Sequence, residues 1–163
     1  NPCPCGNYGS KIKQCLCSLG SVMKYHKKIS GPLIDRIDVF VDVPPVDGDK
    51  LMTPSREHAM DSALLREKVE KARARQRERF SGEGITTNAE MSSSRVERCC
   101  RLDVQAEQLM KMALEKLALS ARSYFRVLKV ARTIADLDGC DDITHEHVAE
   151  SLQYRPRAIT EYS

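Results

Sequence analysis

Ser120-Ala121-Arg122-Ser123-Tyr124-Phe125-Arg126-Val127-Leu128-Lys129-Val130-Ala131-Arg132-Thr133-Ile134-Ala135-Asp136-Leu137, followed closely by Gly139, is the stretch that decides the fold. Ser120 is a residue type that caps a helix start, and Gly139 a type that ends one in left-handed backbone. Between them Tyr124, Val127, Leu128, Ala131 and Ala135 recur at intervals of three and four, which puts them on one helical stripe. A helix with one apolar stripe needs neighbours to bury it. The flanking sequence supplies them. Asp103 caps a helix carrying Ala106, Leu109, Met110, Ala113 and Leu117 at the same period, and Thr144 caps one with Val148, Ala149 and Leu152, ended by Arg155-Pro156. Ser92 or Ser93 opens a shorter one that runs to about Cys100. Four amphipathic helices with short connections predict a compact bundle over residues 92–155.

Upstream, Ser81-Gly82-Glu83-Gly84 breaks a helix that starts at Asp61 and runs through Phe80, with Leu65, Val69, Ala72 and Phe80 on one stripe. Its other face carries Arg66, Lys68, Lys71, Arg73, Arg75, Arg77 and Arg79 among Glu67, Glu70 and Glu78. The plainer reading is a solvated face laced with ion pairs one turn apart, and the sharper one is a ridge that contacts phosphates. Residues 48–60 read as loop. Before them, Ile37, Val39, Val41 and Val43 alternate with Asp38, Phe40 and Asp42 until Pro44-Pro45, the period of a strand with one buried face. One strand cannot stand alone, so it must complete a sheet built elsewhere. The fold class expected is mainly α with a small α/β part of about one strand.

The chain opens on Asn1-Pro2-Cys3-Pro4-Cys5-Gly6 and answers with Cys15-Leu16-Cys17. Two Cys-x-Cys pairs this close can set four soft thiolates around one cation, and tetrahedral zinc takes such a set. Cys3, Cys5, Cys15 and Cys17 are therefore candidate Zn2+ ligands; the alternative is four cysteines without metal, reduced or paired by oxidation. A short helix is expected from about Ser21 to Lys28. Residues 1–30 carry Lys11, Lys13, Lys24, Lys27 and Lys28 and no carboxylate, so the net charge of +3 is concentrated where an anion would be favoured.

At 163 residues and 41% apolar content the sequence is that of a globular protein of one or two small domains. No run approaches the roughly eighteen apolar residues of a membrane span. Seven cysteines is an odd number and the helices are long and charged, which favours a reducing compartment and a cytoplasmic location over a disulfide scaffold. Cys99, Cys100 and Cys140 lack metal-like spacing and read as small buried hydrophobes. His145 and His147 read as surface residues at the start of the last helix.

Three arginines invite chemistry. Arg36, between Asp35 and Asp38, sits where a guanidinium can reach a phosphate on a neighbouring subunit, or pair with either carboxylate of its own chain. Arg122 lies in the first turn of its helix, where the helix dipole mildly disfavours a cation. Arg126 and Lys129 follow on the same polar face, which is either solvated or aimed at an anion. The sequence contains no Gly-rich phosphate loop ending in Lys-Ser or Lys-Thr, so this chain alone is not expected to hydrolyse a nucleotide.

Long motifs recur in a fixed order: Asn-Pro-Cys-Pro-Cys-Gly from Asn1, Cys-x-Cys from Cys15, Ile-Ser-Gly-Pro-Leu-Ile-Asp-Arg-Ile-Asp from Ile29, Glu-Lys-Val-Glu-Lys-Ala-Arg from Glu67, Asn-Ala-Glu-Met from Asn88, and Leu-Ser-Ala-Arg-Ser-Tyr-Phe-Arg-Val-Leu-Lys from Leu119. In this set the chain resembles the ComM/YifB-type magnesium-chelatase-like AAA+ proteins of bacteria, from Asn1 to about Arg155. The resemblance implies the C-terminal portion of an AAA+ ATPase, beginning at the sensor-1 position and without the Walker A and Walker B segments. By it, residues 1–50 would be the end of the α/β core with a cysteine-rich insertion, 51–91 a connecting segment with the basic helix, 92–155 the helical lid and 156–163 a tail.

Carried over residue by residue, the resemblance makes Asn1 the sensor-1 residue that orients the attacking water, Arg36 the arginine finger acting on a neighbour, and Arg122 the lid-borne sensor-2 arginine, with Arg126 the less favoured choice. It implies ATP and Mg2+ as cofactors of the whole protein, self-assembly into a ring, a hexamer by expectation, and DNA as the partner of a motor for branch migration. Metal insertion into porphyrin is not what it implies. Two rival readings stay open on the residues: a zinc-stabilised, non-enzymatic DNA-binding module using Lys24 to Lys28 and the arginine-rich helix, and a chelatase-type motor working on a protein partner.

Overall fold

The computed structural model describes residues 1–10, 13–34, 36–41, 43 and 62–156. They fall in two compact units, one built on residues 1–40 and the other on 41–154. The expected Asp61 cap, the loop over 48–60, the tail over 157–163 and any pairing with Asp35 lie outside the described residues.

In the first unit, α1 (Leu19–His26) starts where Ser18 accepts a hydrogen bond from the Ser21 backbone N–H, two residues earlier than the sequence suggested. A single helical turn, α2 (Gly31–Ile34), follows. Val22 and Cys3 are the buried apolar side chains here among the described residues. The strand expected from Ile37 to Val43 does not form. The described residues there form no strand ladder, and Ile37, Val39, Val41 and Val43 are exposed. Strand geometry is held by ladder bonds to a partner, and the described residues provide none.

Among the described residues the second unit is helix and turn apart from one isolated bridge. Its first described helix is the long basic α3 (Ser62–Arg79), followed by a single 3-10 turn at Asn88–Glu90. The bundle follows: α4 (Ser93–Cys99), α5 (Val104–Lys116), α6 (Ala121–Leu137) and α7 (His145–Gln153). Ser92, Asp103 and Ser120 each accept from the backbone N–H three residues on, and Thr144 opens α7 in a capping box. Gly139 turns the chain at φ 75°, a conformation that costs glycine little, and so ends α6. Leu102 and Ile143 form an isolated parallel bridge, with the Ile143 N–H bonded to Arg101 O at 2.9 Å, which ties the approaches to α5 and α7 together.

Val127, Leu128, Ala131 and Ala135 of α6 pack with Met110 of α5, Val148 of α7, Val96 of α4 and Ile143 in one core. Phe80, just past α3, is 2% exposed in the same core, and burying a side chain of that size contributes about 1.5–3 kcal/mol. The C-terminal half of α3 therefore belongs to the bundle. Its N-terminal half does not, because Leu65 and Val69, expected to be inward, are exposed. The described residues are mostly helical with almost no strand, as the sequence led one to expect, apart from the missing ladder.

Candidate functional site

The cysteine site is assembled by two tight turns and a helix start. Gly6, at φ 78°, lets its N–H reach Cys3 O at 3.0 Å, and Ser10 N–H returns to Asn7 O at 3.0 Å. The Cys3 and Cys5 thiols are thereby turned to the same side. Cys15 and Cys17 arrive on the extended segment that ends at the Ser18 cap of α1. All four Sγ atoms lie within 4.8 Å of one another. Cys3–Cys5 are 3.3 Å apart, Cys3–Cys15 3.6 Å and Cys5–Cys15 3.6 Å. A disulfide needs about 2.05 Å, and the four are free thiols.

Backbone N–H groups point at the sulfurs. The Cys17 N–H donates to Cys15 Sγ at 3.4 Å. Burial works against ionising Cys3, but hydrogen bonds from the Cys5 thiol, the Tyr8 N–H and the Cys15 thiol outweigh it and bring its pKa down to about 6. Cys5 is also lowered, chiefly by the Asn7 N–H. Cys15 goes the other way, up to about 12: the Cys17 N–H favours its thiolate, but burial and the thiols of Cys5, Cys3 and Cys17 prevail. Cys17 is raised as well. Two thiols that ionise beside two that resist is what repulsion between crowded like charges produces.

The nucleotide-facing candidates are divided between the units. In the first, Asn1 is exposed beside Pro2, whose carbonyl accepts from His26 Nε2 at 2.7 Å. Arg36 is exposed; its Nη1 donates to Pro32 O at 2.7 Å, and among the described residues it has no ion pair with Asp38. In the second, Arg122 is exposed on the first turn of α6 and holds no ion pair among the described residues, whereas Arg126 is half-buried and has a partner. The structure does not keep Lys129 in this set, since its Nζ donates to Ala89 O at 2.9 Å, holding α6 to the 3-10 turn. Arg36 and Arg122 are thus exposed cations without carboxylate partners among the described residues, a donor set suited to phosphate oxygens.

Sequence reasoning missed the buried polar cluster that locks α3 to α6. Asp136, 2% exposed, accepts from Arg79 Nη1 at 2.8 Å, from Arg79 Nη2, and from Asn88 Nδ2 at 2.8 Å. Asn88 in turn accepts from Arg79 at 2.9 Å and donates its backbone N–H to Gln76 Oε1 at 3.3 Å. Arg132, 1% exposed, lies with Nε 3.3 Å from Asp136 and gives its two Nη groups to the carbonyls of Cys140 and Asp141. Arg75 reaches the same turn, at Gly139 O (2.6 Å) and Asp141 Oδ1 (2.9 Å). The hydrogen bond to Asp136 raises the Arg79 pKa, while burial lowers that of Arg132. His147 also departs from expectation. It is buried, with Nδ1 accepting the Thr144 N–H at 3.0 Å as the far side of the capping box. The one signal for these residues is that Arg132 and Asp136 flank Ala131 and Ala135 on the inward stripe of α6.

A helical bundle entered through a long basic helix, with an uncommitted arginine on the first turn of α6, is consistent with the helical lid of a ChlI-type AAA+ protein. Residues 59–155 match the family described as magnesium chelatase, subunit ChlI C-terminal, and residues 1–51 match magnesium chelatase, subunit ChlI. The chain belongs to this magnesium-chelatase ChlI family. It is 40% identical over 155 residues to the competence protein ComM of Haemophilus influenzae and 34% identical over 158 residues to the uncharacterised protein YifB of Escherichia coli. Each alignment covers 95% of this chain but 29% of the relative, so the chain spans less than a third of the proteins it matches. Among the described residues no helix is long and apolar enough to cross a membrane.

Proposed function

We propose that this chain is the C-terminal part of an ATP-driven, ring-forming DNA motor of the cytoplasm, and that it contributes charge-sensing groups to nucleotide sites whose phosphate cradle lies in other sequence. The observation that carries the reading is the pair of exposed arginines, Arg36 and Arg122, each without an ion pair among the described residues and each within a segment matching the ChlI family. An exposed guanidinium without an ion pair among the described residues is available to an anion from outside its own fold.

In this reading Asn1 orients the attacking water, Arg122 senses the γ-phosphate from the same subunit, and Arg36 neutralises charge on the phosphoryl group bound by the next subunit. Arg126 is the second choice for the Arg122 role. A finger that acts in trans requires at least two subunits side by side, and a closed ring, a hexamer, satisfies every site at once. ATP and Mg2+ are the cofactors of the whole motor, and Zn2+ at Cys3, Cys5, Cys15 and Cys17 would be a structural one. DNA as the partner rests on the relative named competence protein ComM and on the cluster of lysines between Lys11 and Lys28, where no carboxylate competes.

The test is Arg36→Ala in the full-length protein. ATP turnover falls by about 10³-fold or more, while nucleotide affinity, read by equilibrium binding, stays within about twofold. Turnover retained at the parent rate would refute the assignment of Arg36.

A further inference from the structure

The first unit has almost no hydrophobic core. Among its described residues only Cys3 and Val22 are buried apolar side chains, and Leu16, Leu19, Met23, Ile29 and Leu33 are all more than half exposed. A segment of some thirty residues with two buried apolar groups cannot offset the entropy of ordering its backbone, roughly 1–2 kcal/mol per residue, by burial. Its turns are nevertheless specific, and they converge four sulfurs on one point.

The separations of 3.3–3.6 Å approach the edge of a tetrahedron whose centre lies about 2.3 Å from each sulfur, which is about 3.8 Å. Cys3 is fully buried and Cys15 and Cys17 are partly so, while Cys5 is exposed. The surroundings suit the charge. Four thiolates around a divalent cation carry two net negative charges, and the segment offers Lys13, Lys24, Lys27 and Lys28 with no acidic side chain before Asp35. His26 reaches back from the last turn of α1 to Pro2 O at 2.7 Å, so the helix and the first turn are already joined by a second contact besides the sulfurs.

We propose that Cys3, Cys5, Cys15 and Cys17 bind one Zn2+ as a closed structural centre, on which the fold of residues 1–26 depends. Each thiol gives up its proton to solvent as it takes the metal, and no coordination position is left for substrate, so the site is not catalytic. The proposal rests on the sulfur geometry and the thin core rather than on the motor reading, and the two can fail separately.

Purified without chelator under reducing conditions, the chain should hold about one zinc, and replacement by Co2+ should give the visible bands of a tetrahedral tetrathiolate. A strong chelator should remove amide-exchange protection from Val22 to His26 while leaving α5, α6 and α7 protected. Cys5→Ser, at the exposed ligand, tests the site with little disturbance of packing and should weaken zinc affinity at least about tenfold. The proposal is overturned by less than about 0.2 zinc per chain, by iron in its place, by disulfides among these four cysteines under reduction, or by unchanged zinc affinity in Cys5→Ser.

Discussion

Asp136 shows how much a single side chain can decide. It is a carboxylate at 2% exposure, with Arg79 arriving from one helix and Arg132 from its own. A buried ion pair of this kind is weak evidence for net stability, because both charges leave water to make it. Removing one partner is a different matter, since it strands the others. Asp136→Ala leaves two guanidiniums in the interior, Arg132 with an Nε that has no hydrogen-bond partner even in the parent. We expect it to lower the unfolding free energy by about 3–5 kcal/mol, measured by chemical denaturation. A loss below about 1 kcal/mol would mean that water reaches the cluster. The sequence marks Asp136 only by its place beside the inward stripe of α6. It sits one residue from Ala135, and a periodicity count scores only the apolar neighbours. His147 was hidden for the same reason: a polar residue at the third position of a helix reads as surface until its ring is seen to accept the Thr144 N–H.

At the level of elements, the helices over 92–155 were legible because their ends are written in local chemistry. Ser92, Asp103, Ser120, Thr144 and Gly139 act within three residues of themselves, so no knowledge of the tertiary fold is needed to place them. The strand was not legible in the same sense. Alternation states a preference, but the structure depends on a neighbour that alternation does not provide. The basic helix lay between these cases. Its periodicity located the stripe, and only packing shows that the stripe is buried from Ala72 onward and bare before it. One helix end departs from the usual chemistry. Ala118 follows the cap residue of α5 at φ 45°, a left-handed conformation that a methyl group resists by about 1 kcal/mol or more. Ala118→Gly relieves that strain and adds freedom to the unfolded chain, and the balance should stabilise the protein by a few tenths to about 1 kcal/mol. A lower thermal midpoint for the variant would contradict this.

On the scale of the whole molecule, the two units differ in what holds them. The second has a contiguous core and a buried ion cluster. The first has four sulfurs and one buried valine, and where the chain passes from it to the second, Ile37, Val39, Val41 and Val43 are exposed. An exposed alternating apolar run offers an edge to any similar run, including that of a second copy. Val39→Lys combined with Val41→Lys should therefore reduce self-association of this chain, seen as a lower apparent mass in light scattering at high protein concentration. An unchanged mass would place the contacts elsewhere. The sulfur cluster itself was readable from spacing, while the arginines acquired their suggested roles through resemblance. What geometry adds is that Arg36 and Arg122 stay exposed and that Lys129 is already engaged.

The attachment of the basic helix has a mechanical corollary. Eighteen residues of α3 extend about 27 Å, with Ala72, Gln76, Arg79 and Phe80 fixed at the bundle end and the Ser62 end bare. No glycine or proline interrupts that length. Force applied at Ser62 therefore meets no hinge before it arrives at Asp136, and α6 must turn with the shaft or the carboxylate must let go of Arg79.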